Sequence, residues 1–150
     1  MDQLIFLIIL LGVGYTAGTI AEKRHYKSIE KRESKFLKLP VVTLKDAFDK
    51  DSPILRARLV QGSAVISIDY FKRILAGLRN IVGGEVKSYE TLVDRARREA
   101  TLRMKEMAWD ADIILNLRIE TSAIGNSANN RKAIGSIEAI AYGTAITYKK

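Results

Sequence analysis

The sequence has no cysteine and one histidine, His25, among its 150 residues. Without cysteine the chain cannot form a disulfide, a thiolate metal site, a cysteine nucleophile or a lipidated cysteine. Soft metals prefer thiolate and imidazole ligands, and residues 39–150 contain neither. His25 stands among Lys and Arg residues, which favours an interfacial position over a role as ligand or general base. We therefore predict no metal site and no cofactor.

Charged residues are also absent from Leu4 to Ala21. As a helix this stretch rises about 27 Å, close to the roughly 30 Å hydrocarbon core of a bilayer. A buried core helix would show a polar face, and a signal peptide would carry Lys or Arg before its apolar run. Here the basic residues follow the run instead: Lys23, Arg24, Lys27, Lys31 and Arg32. We predict that residues 1–21 are a permanent single-pass anchor in the inner membrane, amino end outside and body in the cytoplasm. A cleaved signal and a core helix are the alternatives.

Gly14 and Gly18 are separated by three residues within this apolar stretch. This spacing puts both glycines on one helix face and lets a second helix approach closely. We predict a membrane-helix packing face at Gly14 and Gly18. The alternative is that glycine is simply common in membrane helices.

Residues 22–38 hold seven Lys or Arg and three Glu. We predict a basic juxtamembrane helix or linker here. As a collar it would contact anionic membrane lipid, at about 1 kcal/mol for each base near the surface. The alternative is a solvated spacer held by pairs of opposite charge at helical spacing.

Residues 39–150 have the patterns of one α+β domain. Pro40 ends the helical run, and Gly83-Gly84 is typical of a helix end. The predicted order is β-β-α-α-β-β: strands Val41–Leu44 and Ile54–Ser67, a helix from Asp69 to about Val82, a helix beginning at Ser88, and strands Ala111–Ala123 and Ala133–Tyr148.

Two amphipathic patterns predict which side chains share one face of a helix or strand. In the helix after Ser88, the expected buried stripe is Val93, Ala96, Ala100, Met104 and Met107, and the wet face includes Glu99. In the strand that follows, Leu115, Leu117 and Ile119 are expected on one face, with Asn116, Arg118 and Glu120 on the other.

The last predicted strand is apolar on both faces. One face carries Ile140, Tyr142, Ile146 and Tyr148, and the other carries Ala139, Ala141, Gly143 and Ala145. A strand of this kind needs cover on both sides. We predict that a second subunit covers the small-residue face, so that Ala139, Ala141, Gly143 and Ala145 form an oligomer interface. The alternative is that helices of the same chain cover it.

The run FKRILAGLRNIVGG at 71–84, followed by Ser88-Tyr89-Glu90 opening a long Arg- and Ala-rich helix, resembles the YbjQ family. This group of small bacterial and archaeal proteins, also called UPF0145, has no known function and is labelled a heavy-metal-binding domain. The resemblance covers roughly residues 40–148. It implies an α+β fold that assembles as a ring, usually a pentamer, with strands contributing to sheets between subunits.

The sequence departs from the family at some positions. Asn80 stands where the family commonly has Asp, which weakens any ligand role there. Trp109-Asp-Ala-Asp-Ile-Ile stands where the family tends to have Gly-Ala-Asn-Ala-Val-Val. The membrane segment is an addition that compact family members lack. Because the domain also lacks Cys and His, the metal label does not suit this chain.

A weak anion or ligand site is predicted where glycines and cations precede a helix start. Backbone N–H groups and side-chain charge could hold an anion there. The alternative is a tight turn between helices, with an Arg paired to a neighbouring subunit. The candidate residues are Arg79, Asn80, Gly83, Gly84, Lys87, Ser88 and Tyr89.

No nucleophile elbow, phosphate loop or paired acid and base is present, so we predict that the chain is not an enzyme and has no catalytic residues. Its bases are spread and not interleaved with aromatics, which argues against nucleic acid. We predict a membrane-anchored homo-oligomeric structural or interaction module. The alternative is a small-ligand, anion or metal-ion binding module with sites at subunit interfaces.

Overall fold

The computed structural model describes residues 2–46, 52–67, 87–124 and 136–149. Two helices and three strands lie in these ranges, so the mixed α+β class predicted from the sequence is confirmed. The predicted helix from Asp69 to about Val82 lies outside the described residues. The elements are helix α1 (Asp2–Lys35), strand β1 (Ile54–Ser67), helix α2 (Lys87–Met107), strand β2 (Ile113–Ile124) and strand β3 (Ser136–Tyr148).

The three strands form one antiparallel sheet in the order β1-β3-β2. The predicted strand Val41–Leu44 contributes one parallel bridge, from Val41 to Ile114, rather than a full strand. Its neighbours still follow the outer edge of β2, because Val42 N donates to Ile114 O at 3.0 Å. The edge of β2 is therefore partly covered by the segment that follows α1.

A bulge in β2 changes which side chains share a face. The pairing with β3 shifts between Leu115 and Arg118, and Asn116 adopts a positive φ of 54°. As a result Leu115 lies opposite Thr144, on the same sheet face as Arg118, while Leu117 and Ile119 pack towards the main core. The prediction that Leu115, Leu117 and Ile119 share one face was wrong, because the extra residue reverses the alternation.

Helix α2 lies directly on the sheet where the strands carry only small residues. Gly62 of β1 lies opposite Ala141 of β3, and Ala64 lies opposite Ala139. A Cβ atom built on Gly62 would lie 2.3 Å from the carbonyl oxygen of Ala100, which belongs to α2. Glycine is required here because the helix backbone occupies the space of a side chain.

The small-residue face of β3 is therefore part of the core of one chain. Ala139 and Ala141 are fully buried and Ala145 is 2% exposed, in one cluster with α2. A Cβ on Gly143 would lie 2.9 Å from the carbonyl oxygen of Leu115 of β2. The prediction that Ala139, Ala141, Gly143 and Ala145 form an oligomer interface was wrong, because elements of the same chain already cover them.

Helix α2 buries most of the predicted stripe, with two differences. Ala96, Ala100 and Met104 are fully buried as expected, but Met107 is 49% exposed at the end of the helix. Glu99, predicted on the wet face, is 3% exposed. The sheet covers one side of α2, and a second helix, described next, covers the side that carries Glu99.

Candidate functional site

Helix α1 is one unbroken helix with two different surfaces. Its first half is apolar and exposed: Phe6 is 69% exposed and Ile8 and Val13 are each 60% exposed. It is the one helix in the described ranges long and apolar enough to cross a membrane, a test that a signal sequence near the amino end also passes. Gly14 and Gly18 lie in this half. Their packing against another helix stays a prediction.

The second half of α1 packs against α2. Ile29 is fully buried between the two helices. The Tyr26 hydroxyl donates to the carbonyl oxygen of Thr91 at 3.2 Å, and the Arg95 and Arg98 guanidinium groups each lie 5.9 Å from the Tyr26 ring centre. Because these contacts recur at helical spacing, the two helices form one continuous contact, here called the α1–α2 interface.

Glu99 is the central charged group of the α1–α2 interface. Its carboxylate accepts two hydrogen bonds from Arg32 of α1 and one from Arg103 Nε at 2.9 Å. His25 Nε2 lies 3.7 Å from the same carboxylate. A carboxylate with 4% side-chain exposure is stable as an anion only with such partners. Glu99 therefore connects the second half of α1 to the domain.

Further ion pairs extend the interface along α1. Arg98 makes a two-point contact with Glu33, with N–O distances of 2.8 Å and 2.7 Å. Arg95 lies 3.7 Å from Glu22, and Lys105 Nζ donates to the carbonyl oxygen of Phe36 at 3.2 Å. Single exposed ion pairs contribute little to stability, but a network with a buried centre fixes the orientation of the elements that it joins. The α1–α2 interface thus holds α1 at a set angle to the domain.

The outward side of the same helix carries several exposed cations. Lys23, Lys27 and Lys31 are exposed at four-residue spacing, and Arg24 is exposed beside them. The sequence predicts Arg32 as part of the same basic collar, but the structure places it in the α1–α2 interface, 25% exposed and paired with Glu99 and Glu106. The other six Lys and Arg residues between 22 and 38 are exposed.

The charge state of Glu99 makes the interface sensitive to acid. Burial alone would raise the pKa of Glu99, but hydrogen bonds from Arg32 and Arg103 outweigh it and hold the pKa below its ordinary value of 4.5. A carboxyl group with a lowered folded-state pKa contributes stability above its unfolded-state pKa, and that stability is lost as the pH falls through the folded-state value.

We therefore expect the melting temperature of the full chain to fall as the pH is lowered from about 7 to about 3.5. The part of this decrease that is due to protonation of Glu99 should occur below about pH 4.5. Thermal unfolding of the detergent-solubilised protein at a series of pH values measures this. A Glu99→Gln variant should be less stable near neutral pH and should lose less on acidification. Parallel curves for the variant and the natural chain would contradict the assignment.

The predicted anion site is not assembled in the part of the chain that the structure describes. Arg79, Asn80, Gly83 and Gly84 lie outside those residues. Lys87, Ser88 and Tyr89 form the first turn of α2. The site stays a prediction. Sequence reasoning missed the α1–α2 interface, although Glu22, His25, Tyr26, Ile29, Arg32 and Glu33 recur at three- and four-residue spacing.

Comparison with known proteins gives a family. Residues 41–149 match the YbjQ family model, whose description is "Putative heavy-metal-binding". A UPF0145 protein of Clostridium novyi is 42% identical over 90 residues, which cover 59% of this chain and 80% of that protein. A UPF0145 protein of Methanococcus maripaludis is 34% identical over 110 residues, covering 72% of this chain and 91% of that protein.

A solved structure is similar as well. A protein of unknown function from Pediococcus pentosaceus, of the DUF74 family, aligns with a TM-score of 0.46 and 16% identity over 74% of this chain and 98% of that one. The chain belongs to the YbjQ (UPF0145) family, as the resemblance at 71–90 predicted. The match begins at residue 41, so α1 lies outside it.

The side chains of the described residues do not form a site for the metal named in the family description. Among residues 2–46, 52–67, 87–124 and 136–149, no three His, Cys, Asp or Glu side chains are grouped to hold an ion. The chain has no cysteine, and His25 lies before the family domain, beside Glu99. Soft metals need donors that this domain does not contain, so no step is assigned to a metal.

Proposed function

We propose that this chain is a membrane-tethered homo-oligomeric interaction module, not an enzyme, whose domain is held in the cytoplasm at the inner membrane. The observation that supports the proposal best is the division of α1. Its first half is apolar and exposed, and its second half is held on the domain by the Glu99 network. A helix of this kind would fix both the distance and the angle between the domain and the bilayer.

The continuity of α1 also favours a retained anchor over a cleaved signal. Cleavage near Ala21 would cut one helix in the middle, directly before the residues that pack on α2. The cations that follow the apolar half favour a cytoplasmic domain by the positive-inside rule. Lys23 and Arg24, which follow Ala21 within about 5 Å along the helix axis, would then lie at the anionic lipid head groups.

Because the chain has no cysteine, single introduced cysteines can test the anchor and its orientation. In spheroplasts, a membrane-impermeant maleimide should label Gln3→Cys in intact cells and Ser28→Cys only after permeabilisation. Both positions are exposed on α1. The protein should also stay in the membrane after an alkaline carbonate wash. Labelling of Ser28→Cys in intact cells would reverse the orientation, and release by carbonate would exclude the anchor.

The proposed oligomer rests on the sheet face opposite α2. Leu59 is 67% exposed there, Val65 is 54% exposed and Ile140 is 38% exposed. In the described part of the chain, β1 is paired through β3 alone, so its outer edge is open to another strand. An open edge and exposed apolar side chains favour pairing with a further copy. A head-to-tail contact forms a ring where the rotation between copies closes, and the family resemblance favours five copies.

Light scattering of the detergent-solubilised full chain should give a mass of several copies, five if the family assembly is kept. Leu59→Glu should reduce this mass, because it places a charge in the apolar contact. Gln61→Glu, on the same strand and face but already polar, is the matched control. If the natural chain is a monomer, the proposed ring is wrong. If Leu59→Glu has the same mass as the natural chain, the interface does not include Leu59.

A further inference from the structure

An open cleft of about 430 Å³ lies where α1 ends against α2 and β2. Its floor and rim include Leu37, Leu102 and Ile119, and its charged wall is formed by Arg97, Arg98, Lys105 and Glu33, with Thr101 between them. The volume is in the range of small-molecule sites. Since the family match begins at residue 41, Glu33 and Leu37 come from outside it. The cleft therefore exists only because α1 packs on the family domain.

The charge of the cleft is unbalanced. Three cations and one carboxylate line it, which leaves an excess of two positive charges. Arg98 is neutralised by Glu33 at 2.7 Å. Lys105 donates to a neutral carbonyl oxygen, that of Phe36. Arg97 is exposed and makes no ion pair within the described part of the chain. The excess charge therefore rests on Arg97 and Lys105.

The cationic wall has a regular geometry. Arg97, Thr101 and Lys105 are spaced four residues apart, so they lie along one side of α2, with the outer two about 12 Å apart. The Thr101 hydroxyl donates to the carbonyl oxygen of Arg97 at 2.8 Å and can still accept a hydrogen bond. Two cations that flank a hydroxyl form a surface suited to a carboxylate or phosphate group.

The apolar part of the cleft gives such a ligand a second contact. Leu102 is 2% exposed and forms the closed side, whereas Leu37 is 77% exposed at the rim. Covering Leu37 and Ile119 would remove apolar surface from water. We propose that the cleft binds a soluble organic anion, one that joins a carboxylate or phosphate group to a compact apolar body. This goes beyond the proposed tethered module and does not depend on it.

The position of the cleft favours a soluble anion over a lipid head group. Glu33 lies twelve residues after Ala21 on the same helix, about 18 Å along its axis. The head-group layer extends only about 5–8 Å beyond the hydrocarbon core. If α1 crosses the bilayer, the cleft lies in the water beyond that layer.

The test uses the full chain in nanodiscs of a neutral lipid, with empty nanodiscs as the blank. Naphthoate is the probe, because it joins one carboxylate to a compact apolar body, and naphthalene carboxamide is its neutral match. Calorimetric titration should show naphthoate binding at least about tenfold more tightly than the amide, and more tightly than inorganic phosphate. Equal affinities for the acid and the amide would show that the cleft does not recognise the anionic group. Phosphate binding as tight as naphthoate binding would show that the apolar body contributes nothing.

Variants locate the site. Arg97→Gln removes the unpaired cation without breaking an ion pair and should weaken naphthoate about fivefold or more. Thr101→Trp should fill the cleft and abolish binding. Lys27→Gln, a cation outside the cleft, should leave binding unchanged. Naphthoate affinity that neither cleft variant alters overturns the assignment, whether or not the ring or the anchor is found.

A second nanodisc with anionic lipid separates the two sources of anion. Charge at the bilayer surface is screened over about 8 Å at physiological salt, so it should change naphthoate affinity less than about twofold. A larger loss of naphthoate affinity, together with lipid cross-linking at the cleft that Thr101→Trp prevents, would show that a lipid head group occupies the cleft and would overturn the soluble ligand.

Discussion

Gly62→Ala is expected to destabilise the domain by about 3 kcal/mol or more. The added Cβ would lie 2.3 Å from the Ala100 carbonyl oxygen and 2.4 Å from the Met104 backbone nitrogen. Both atoms belong to the α2 backbone, so relief requires the whole helix to move away from the sheet. That movement would open the contacts of Ala96 and Met104, which are fully buried.

Urea unfolding of the detergent-solubilised chain, followed by circular dichroism, measures this loss. The apolar half of α1 keeps its helix in detergent, so the transition reports the domain. Ser63→Ala is the matched control, since Ser63 is the next residue, exposed on the opposite sheet face. It should change the free energy of unfolding by less than about 0.5 kcal/mol. Equal midpoints for Gly62→Ala and the natural chain would disprove the close approach of α2.

Glu99→Ala is expected to release α1 from the domain. It removes the buried acceptor shared by Arg32 and Arg103 and leaves Arg32, only 25% exposed, with the more exposed Glu106 as its carboxylate partner. Removing one partner of a buried ion pair costs about 3 kcal/mol. Once detached, the charged half of α1 would lose its packing on α2 and would fray from its free end, because most helical stability in proteins comes from tertiary packing. Its exposed lysines, among them Lys27 and Lys31, would become trypsin sites.

Trypsin cleavage between residues 22 and 38 should therefore be roughly a hundredfold faster in Glu99→Ala, because cleavage follows the population of the open form. Glu106→Ala is the control. Glu106 is 41% exposed and touches Arg32 at 3.4 Å, so its loss should change the rate less than about threefold. Hydrogen exchange of β3 amides should stay slow in both variants. Equal cleavage rates would show that Glu99 does not hold the two helices together.

The Glu99 network and the cleft both join the region before residue 41 to the family domain. The family domain begins after it, yet Arg32 and Glu33 of α1 are bound to Glu99 and Arg98 of that domain. An anchor joined by a flexible linker would need no such contacts. A ligand in the cleft would touch both helices, so it would favour the state in which α1 is packed on α2.

Features that depend on local composition could be predicted from the amino-acid sequence. The uncharged run from Leu4 to Ala21 predicted the apolar helix, and period-two and period-four patterns predicted β1, α2 and the two faces of β3. The family followed from the run at 71–84 together with the start of α2. These predictions were possible because periodicity and turn residues act over a few residues.

Which faces pack against each other could not be predicted before the elements were placed in three dimensions. The small residues of β3 looked like a surface for a second subunit, but Gly62 and the α2 alanines show that a helix of the same chain packs there. Glu99 looked solvated, because its partner Arg32 is 67 residues away in the chain. The bulge at Asn116 reverses the alternation of side chains between the two faces of β2, and no pattern in the sequence predicted it. Burial and pairing over such separations depend on how elements are placed, which local patterns do not encode.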